Sequence, residues 1–376
     1  MKVFVKLFAA KNLGDDLFLK ILLERYPDVE FILVADKSYQ TIFRDYKNLK
    51  VEHLKNVNKK KYFYVKGYNK IEGFIFKEIR KRKIQKKIQQ DYNRMFSEAD
   101  IFVSIGGSIF MQPKRLSVYY NFEFYKYVIE KFNDIFFLGC NFGPYLDKSF
   151  RDTYAQIFAK STDVCFRDSY SAELFSELSN IRQQPDIVFN LKHNKTSLEK
   201  DTVGFSIISA RDGIDEGLYF QKYAELIEFY LNKGKSVTLF SFCAEQGDED
   251  SIEAIISRIQ SKSPNIQKVY YRGDMDTFLK SYSKMEKMYS GRFHSMILSM
   301  LFNQKFCPVV YNHKMSNVLS DSDFEGDFVH MKDFYNTSVY DMDKMLENNQ
   351  YDIQELVEKS GGQFKELDKC IEKNYN

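Results

Sequence analysis

The sequence predicts two doubly wound α/β domains facing across a cleft, followed by C-terminal helices. Three observations carry this. Short apolar, β-prone runs alternate with stretches of helical period from residue 2 to about residue 320. The alternation pauses once, at the polar run 191–201, and then restarts. The 376 residues suffice for two separate buried cores.

Taken in order, Lys2 to Phe8 reads as a strand, Asp15 to Tyr26 as an amphipathic helix and Val29 to Ala35 as a second strand. This βαβ unit with short connections favours a parallel sheet. A helix around Tyr39 to Tyr46 follows, then a Lys-, Asn- and Tyr-rich stretch from Lys55 to Asn69 that reads as a long loop or insertion. Ile71 to Phe96 is a long helix carrying Lys77, Arg80, Lys81, Arg82, Lys83, Lys86 and Lys87, with Phe74, Ile75, Phe76 and Ile79 alongside. It suits a solvated face or a peripheral contact with an anionic membrane. Asp100 to Gly107, Asn133 to Gly143 and Asp163 to Arg167 read as buried strands, and Pro185 to Asn190 closes this half.

The expected domains are therefore 1–190 and 202–320, joined by a linker at 191–201 and followed by a helical tail over 321–376. In the second half, strands are expected at Thr202 to Ser209, Ser236 to Phe242, Gln267 to Arg272, Lys287 to Ser290 and Phe306 to Tyr311. Helices are expected at Glu216 to Asn232, Asp248 to Ile259, Asp274 to Ser283 and Ser295 to Phe302. The tail should be helical over Asp341 to Asn348 and Tyr351 to Asn374.

Composition narrows the function. A net charge of +3 gives no general basic field, which argues against nucleic-acid binding. Five dispersed cysteines without a C-x-x-C pair argue against a disulfide framework or a metal site and fit a cytoplasmic protein. The N-terminal apolar run is broken by Lys6 and reads as a strand, not a signal peptide. No run of eighteen apolar residues suggests a membrane span.

The chemistry-bearing residues gather at strand ends. In Gly291-Arg292-Phe293-His294-Ser295, an extended junction would project Arg292 and His294 to one side, before a helix start rich in backbone N–H groups. An arginine fork binds phosphate or carboxylate, and an imidazole gives or takes a proton near neutral pH. Asn12-Leu13-Gly14-Asp15 follows the first strand; Gly14 permits close approach of a ligand, and Asn12 or Asp15 can cap the helix. Gly106-Gly107-Ser108 and Asn141-Phe142-Gly143 end two further strands, where backbone can meet an anion or a sugar. Arg167 and Arg211 stand at strand ends in the two halves, and Glu245, Asp248 and Asp250 form an acidic loop that can supply an acid or base or be merely solvated.

These motifs in this order, with Arg167-Asp168-Ser169, Pro185-Asp186 and a late Tyr311-x-x-Lys314, resemble the polysaccharide pyruvyl transferase family from about residue 8 to about residue 315. Many members carry three glycines where this chain has Gly106-Gly107-Ser108. The resemblance implies paired Rossmann-like domains of the GT-B glycosyltransferase kind. It also implies transfer of pyruvate from phosphoenolpyruvate onto two sugar hydroxyls as a cyclic ketal, with no further cofactor. Arg292 and His294 would bind the donor and take part in proton transfer. The chemistry of such a donor also asks for a group to take the hydroxyl proton, Asp15, Asp168 or Glu245, and for Arg167 or Arg211 beside Arg292 on the donor's second charge. The acceptor implied is a sugar of a capsule, exopolysaccharide or cell-wall glycan, lipid-linked at the cytoplasmic membrane face. A nucleotide-sugar glycosyltransferase of the same architecture and a non-catalytic carbohydrate-binding protein are the alternatives.

Overall fold

Parallel pairing of apolar strands organises a computed structural model, which describes residues 1–54, 72–112, 118–194, 196–260, 265–349 and 351–375, into two sheets. Two units result. Unit 1 comprises Met1–Phe8, Leu22–Gln184 and Gly362–Asn376; unit 2 comprises Ala9–Ile21 and Pro185–Gly361.

Unit 1 is built on β1 (Lys2–Lys6), β2 (Glu30–Val34), β3 (Leu49–Glu52), β4 (Ile101–Ile105), β5 (Asp134–Cys140), β6 (Asp163–Phe166) and β7 (Ile181–Gln183), in the order β3-β2-β1-β4-β5-β6-β7. Every described pair is parallel. The middle strands are mostly apolar because helices cover both faces of such a sheet. Helices α1 (Leu13–Arg25), whose residues up to Ile21 belong to unit 2, α2 (Ser38–Ile42), α3 (Glu72–Glu98), α4 (Val118–Lys131), α5 (Lys148–Phe158) and α6 (Ser169–Glu173) connect them. On one face Phe4, Phe96, Phe102, Phe124 and Phe137 form an aromatic core with edge-to-face contacts such as Phe4 to Phe96 at 4.8 Å.

Unit 2 repeats the scheme with β8 (Glu199–Ser206), β9 (Ser236–Ser241), β10 (Ile266–Tyr270), β11 (Met285–Ser290), β12 (Lys305–Val310) and β13 (Val329–His330), in the order β10-β9-β8-β11-β12-β13. Its helices are α7 (Glu216–Asn232), α8 (Asp248–Ile256), α9 (Met275–Tyr282), α10 (Phe293–Leu301), α11 (His313–Asp321), α12 (Val339–Asn348) and α13 (Gln354–Ser360). α14 (Lys365–Tyr375) belongs to unit 1.

The boundaries differ from the expected ones. Pro185–Asn190 belongs to unit 2, because its turn over Ile187–Asn190 buries Ile187, Val188 and Phe189 there. The 191–201 run is no linker: β8 begins at Glu199 and pairs with β11. The tail is not one helical appendage. β13, α12 and α13 complete unit 2, while Gly362–Asn376 returns to unit 1. There Gln363 is fully buried, accepting from the Gly139 amide at 3.0 Å and donating to the Gln184 carbonyl at 2.8 Å. Arg25 adds a bidentate pair with Asp368 on α14. The expected loop at 55–69 lies outside the described residues, as does Ile71 at the start of the basic helix. Among the described residues no helix is long and apolar enough to cross a membrane, and no cluster of ligating side chains could hold a metal ion.

Candidate active site

The chain leaves β11 at Ser290 and turns sharply at Gly291. A Cβ there would lie 2.4 Å from the Ser206 carbonyl oxygen, so only glycine lets the Gly291 amide donate to that oxygen at 3.1 Å. Arg292 is extended, with its amide on Ser206 Oγ at 3.0 Å, and α10 begins at the next residue. The helix thus starts two residues before the expected Ser295. His294 is already helical, so the two-residue alternation of a strand does not govern it, and the two side chains take different partners.

Arg292 is 6% exposed. Its Nε donates to Asp248 Oδ2 at 3.0 Å, its Nη2 donates to Asp248 Oδ1, and its Nη1 donates to Gln246 Oε1. Asp248 Oδ2 also accepts from the Phe242 and Cys243 amides at 3.0 Å. Burial pushes the Asp248 carboxyl upward, while the guanidinium and the two amides pull it back toward ionisation. Arg292 therefore does not present an open fork. A guanidinium has five N–H donors and three are used, which leaves one on each Nη for a ligand.

His294 turns toward α1. Its ring covers Gly14 so closely that a Cβ on that residue would fall 1.7 Å from Nδ1. Phe18 meets the ring edge-on at 5.2 Å, and Phe293 does so at 5.1 Å. Nε2 stands 4.0 Å from Asp186 Oδ2, beyond hydrogen-bond length but within strong Coulombic range, with the imidazole side chain 12% exposed. The other oxygen, Asp186 Oδ1, caps the turn after it by accepting from Val188 N at 2.9 Å. Asn12 Oδ1 accepts from Gly14 N at 3.1 Å, which caps α1 and fixes the glycine beneath the ring. A packed, anchored imidazole facing a buried carboxylate is an arrangement suited to proton transfer.

The remaining expected site residues separate by position. In unit 2, Asp15 is buried in the first turn of α1. Arg211 is exposed, with its guanidinium 5.0 Å from the Tyr311 ring centroid, and Lys314 is half-buried at the start of α11. Ser295 is not available to a ligand: it is fully buried in a hydroxyl network with Tyr282 at 2.7 Å, which also joins Ser299. Glu245 is exposed, and the acidic loop's working member is Asp248, the buried counter-ion of Arg292.

In unit 1, Arg167 is 3% exposed and lies on Gly107, where a Cβ would come within 2.5 Å of Nη2. Its Nη2 donates to Asn141 Oδ1 at 2.9 Å, and Ser108 Oγ donates to the same oxygen at 3.3 Å. Asn141 Nδ2 has no partner among the described residues, although the side chain is buried. Gly106 and Gly143 adopt positive φ, 141° and 95°, at the ends of β4 and β5. Asp168 caps α6 by accepting from Ser171 N at 2.8 Å.

Sequence reasoning gave no role to Asp186 or Phe18. Pro185-Asp186 entered only among the motifs of the resemblance; Asp186 caps the turn over Ile187–Asn190, and its second oxygen faces His294 because the chain folds back beneath α10.

Among solved structures, the UDP-GlcNAc 2-epimerase of Neisseria meningitidis bound to UDP-GlcNAc superposes with a TM-score of 0.58 at 10% identity, covering 98% of this chain and 99% of that one. The UDP-GlcNAc 2-epimerase of Methanocaldococcus jannaschii gives 0.57 at 11% identity, over 93% and 95%. Anabaena Alr3699/HepE in complex with UDP and glucose gives 0.54 at 9% identity, over 99% of each chain. These likenesses establish the GT-B class of paired parallel-sheet α/β domains. A search of curated proteins finds no match to the chain. The family model for polysaccharide pyruvyl transferase matches residues 12–313, a span that contains Gly14, Asp186, Arg292 and His294, and the chain belongs to that family.

Proposed function

We propose that the protein transfers pyruvate from phosphoenolpyruvate onto two hydroxyls of a sugar, forming a cyclic ketal. The observation that carries this is the imidazole of His294, seated on Gly14 with Asp186 Oδ2 4.0 Å from Nε2. Asp186 is the counter-charge for the imidazolium form, the form that a proton donor must start from.

His294 gives its proton to the methylene carbon of the donor, which becomes a methyl group and leaves the central carbon electrophilic. One sugar hydroxyl adds there, phosphate departs, and the second hydroxyl closes the ketal. Of the two hydroxyl protons released, one restores His294 and the other leaves with phosphate. Asp15 is a candidate for taking a hydroxyl proton.

The donor carries two anionic groups, so it needs two cationic subsites. Arg292 offers its two remaining N–H groups, and Arg211, Lys314 and Arg167 are candidates for the rest. On this reading the acceptor belongs to capsule, exopolysaccharide or cell-wall glycan assembly at the cytoplasmic membrane face. The exposed Arg82, Lys83 and Lys86 of α3 supply positive charge for contact with an anionic lipid surface.

The test is phosphate release from phosphoenolpyruvate with candidate glycans, followed by mass spectrometry for the ketal. His294→Asn should reduce turnover by about 100-fold or more, the scale of a lost general acid. Near-parental turnover would remove His294 from this role. Thermal stabilisation by UDP sugars and not by phosphoenolpyruvate would replace the reading with nucleotide-sugar transfer.

A further inference from the structure

A lysine ends the central strand of unit 1. In β1, Val3 and Val5 point to one face and Phe4 and Lys6 to the other. Phe4 packs against Tyr92, Phe96 and Phe102, and Lys6 continues that row at the C-terminal edge of the sheet. Its Nζ stands 3.9 Å from the Phe124 ring centroid and 5.3 Å from that of Tyr125.

The groups packed around Lys6 bring no counter-ion among the described residues. On β4, its register partner is Ser104, whose hydroxyl shares a hydrogen bond of 3.2 Å with Tyr125 OH. On α4, the Glu123 carboxylate is engaged by Gln85 at 2.6 Å and Lys126 at 3.4 Å. On α3, Tyr92 meets Phe124 edge-on at 5.0 Å, and beside β1 on the other side stands Val34 of β2. Burial alone lowers the Lys6 ammonium to about 8, because the two rings repay only part of the lost hydration.

Position gives this charge a meaning. The strand order reverses at β1, which has β2 on one side and β4 on the other, and connections from the two strands depart to opposite faces. Open α/β sheets bind ligands in the crevice that this opens at the C-terminal strand ends. Lys6 and Ser104 flank it. One strand further along, Asn141 follows the end of β5 with its Nδ2 donor lacking a partner at 1% exposure. Two uncommitted donors, one of them a cation, therefore belong to one sheet edge.

We propose that the strand ends of unit 1 bind a ligand carrying an oxyanion, a carboxylate or a phosphate, that the Lys6 ammonium receives, with Asn141 Nδ2 as a second donor at the same edge. An oxyanion restores to Lys6 the stabilisation that burial removes, so binding draws a proton onto the amine between about pH 8 and 10. If the oxyanion belongs to the acceptor, the inference rests on the pyruvyl-transfer reading and makes that acceptor an acidic sugar. The binding itself does not depend on it.

The test uses the full chain with isotope-labelled lysine, following the Lys6 ε resonance by NMR, assigned through its loss in Lys6→Arg. The probes are inorganic phosphate, phosphoenolpyruvate and glucuronate. Saturation should raise the Lys6 titration midpoint by one pH unit or more. In calorimetry, Lys6→Met should weaken binding of the active probe tenfold or more, and Lys6→Arg should retain it without pH dependence from 7 to 9. A response to glucuronate alone assigns the oxyanion to the acceptor, and a response to phosphoenolpyruvate beyond that to phosphate assigns it to the donor. A Lys6 midpoint unmoved by all three probes, or probe binding equal in Lys6→Met, overturns the proposal. His294→Asn should reduce turnover by about 100-fold or more and leave the Lys6 response intact, so the two readings fail separately.

Discussion

Substituting Gly14 by alanine tests the seating of His294 more directly than removing the histidine. The new Cβ would stand 1.7 Å from Nδ1 and 2.4 Å from Cε1 and Cγ. Carbon contacts settle near 3.5 to 4 Å, so the ring must retreat by about 2 Å. That movement breaks the register of Nε2 with Asp186, now at 4.0 Å. Displacements of ~1 Å are enough to lower rates ~100-fold, so Gly14→Ala should reduce phosphate release from phosphoenolpyruvate by at least that factor.

Stability should change much less. Overpacking costs about 1–3 kcal/mol, and alanine in a helix returns up to about 1 kcal/mol relative to glycine. The net loss expected is therefore about 0–3 kcal/mol. In a His294→Ala background the obstruction is gone, and Gly14→Ala should become neutral or stabilising by up to about 1 kcal/mol. Urea unfolding of the four proteins closes a double-mutant cycle with a coupling of about 1–3 kcal/mol. An equal effect of Gly14→Ala in both backgrounds would refute the contact between the ring and the glycine.

Two further perturbations address charge. Asp248→Asn leaves the Arg292 guanidinium buried beside a neutral amide, and unfolding in urea should show a loss of about 3–5 kcal/mol, largely recovered when Arg292→Met is added; a loss below ~1 kcal/mol would contradict the buried pair. Lys6 has a folded-state pKa of about 8, below its ordinary 10.5, so the unfolded chain holds the extra proton between these values and stability should rise with pH across that window. The ceiling is about 3 kcal/mol, and the difference in urea midpoint between pH 7.5 and 9.5 should shrink in Lys6→Met; identical differences in the two proteins would refute the assignment.

The interior strands were legible because both their faces are covered, which makes their sequences largely apolar, as in Ile101-Phe-Val-Ser-Ile105 and Ile135-Phe-Phe-Leu138. The strands that escaped notice lie at or near edges. β3 reads Leu-Lys-Val-Glu, β7 reads Ile-Arg-Gln and β13 has two residues, too short for a periodic signal. At the candidate site of unit 2 the sequence singled out Arg292, His294 and Gly14, and in unit 1 Arg167, but not their partners. Asp248 looked like part of a solvated Asp/Glu loop, and only the close approach of Gly291 to Ser206 carries Arg292 to it. Ser295 misled for the opposite reason: a hydroxyl beside a histidine suggests a ligand contact, yet its place on the inner face of α10 turns it toward Tyr282.

The return of residues 362–376 to unit 1 sets an order of events during synthesis. Gly139 waits for a partner 224 positions downstream, and the Gln184 carbonyl waits for the same side chain. All of Pro185–Gly361 must leave the ribosome before Gln363 can close that edge, so unit 2 has its whole main segment in hand while unit 1 still lacks its last helix. Until then the α1 surface that receives Asp368 is bare, and the nascent chain exposes it for the time taken to translate nearly half of the protein. A fragment cut after Gln184 would preserve every strand of the first sheet and still be an unfinished domain.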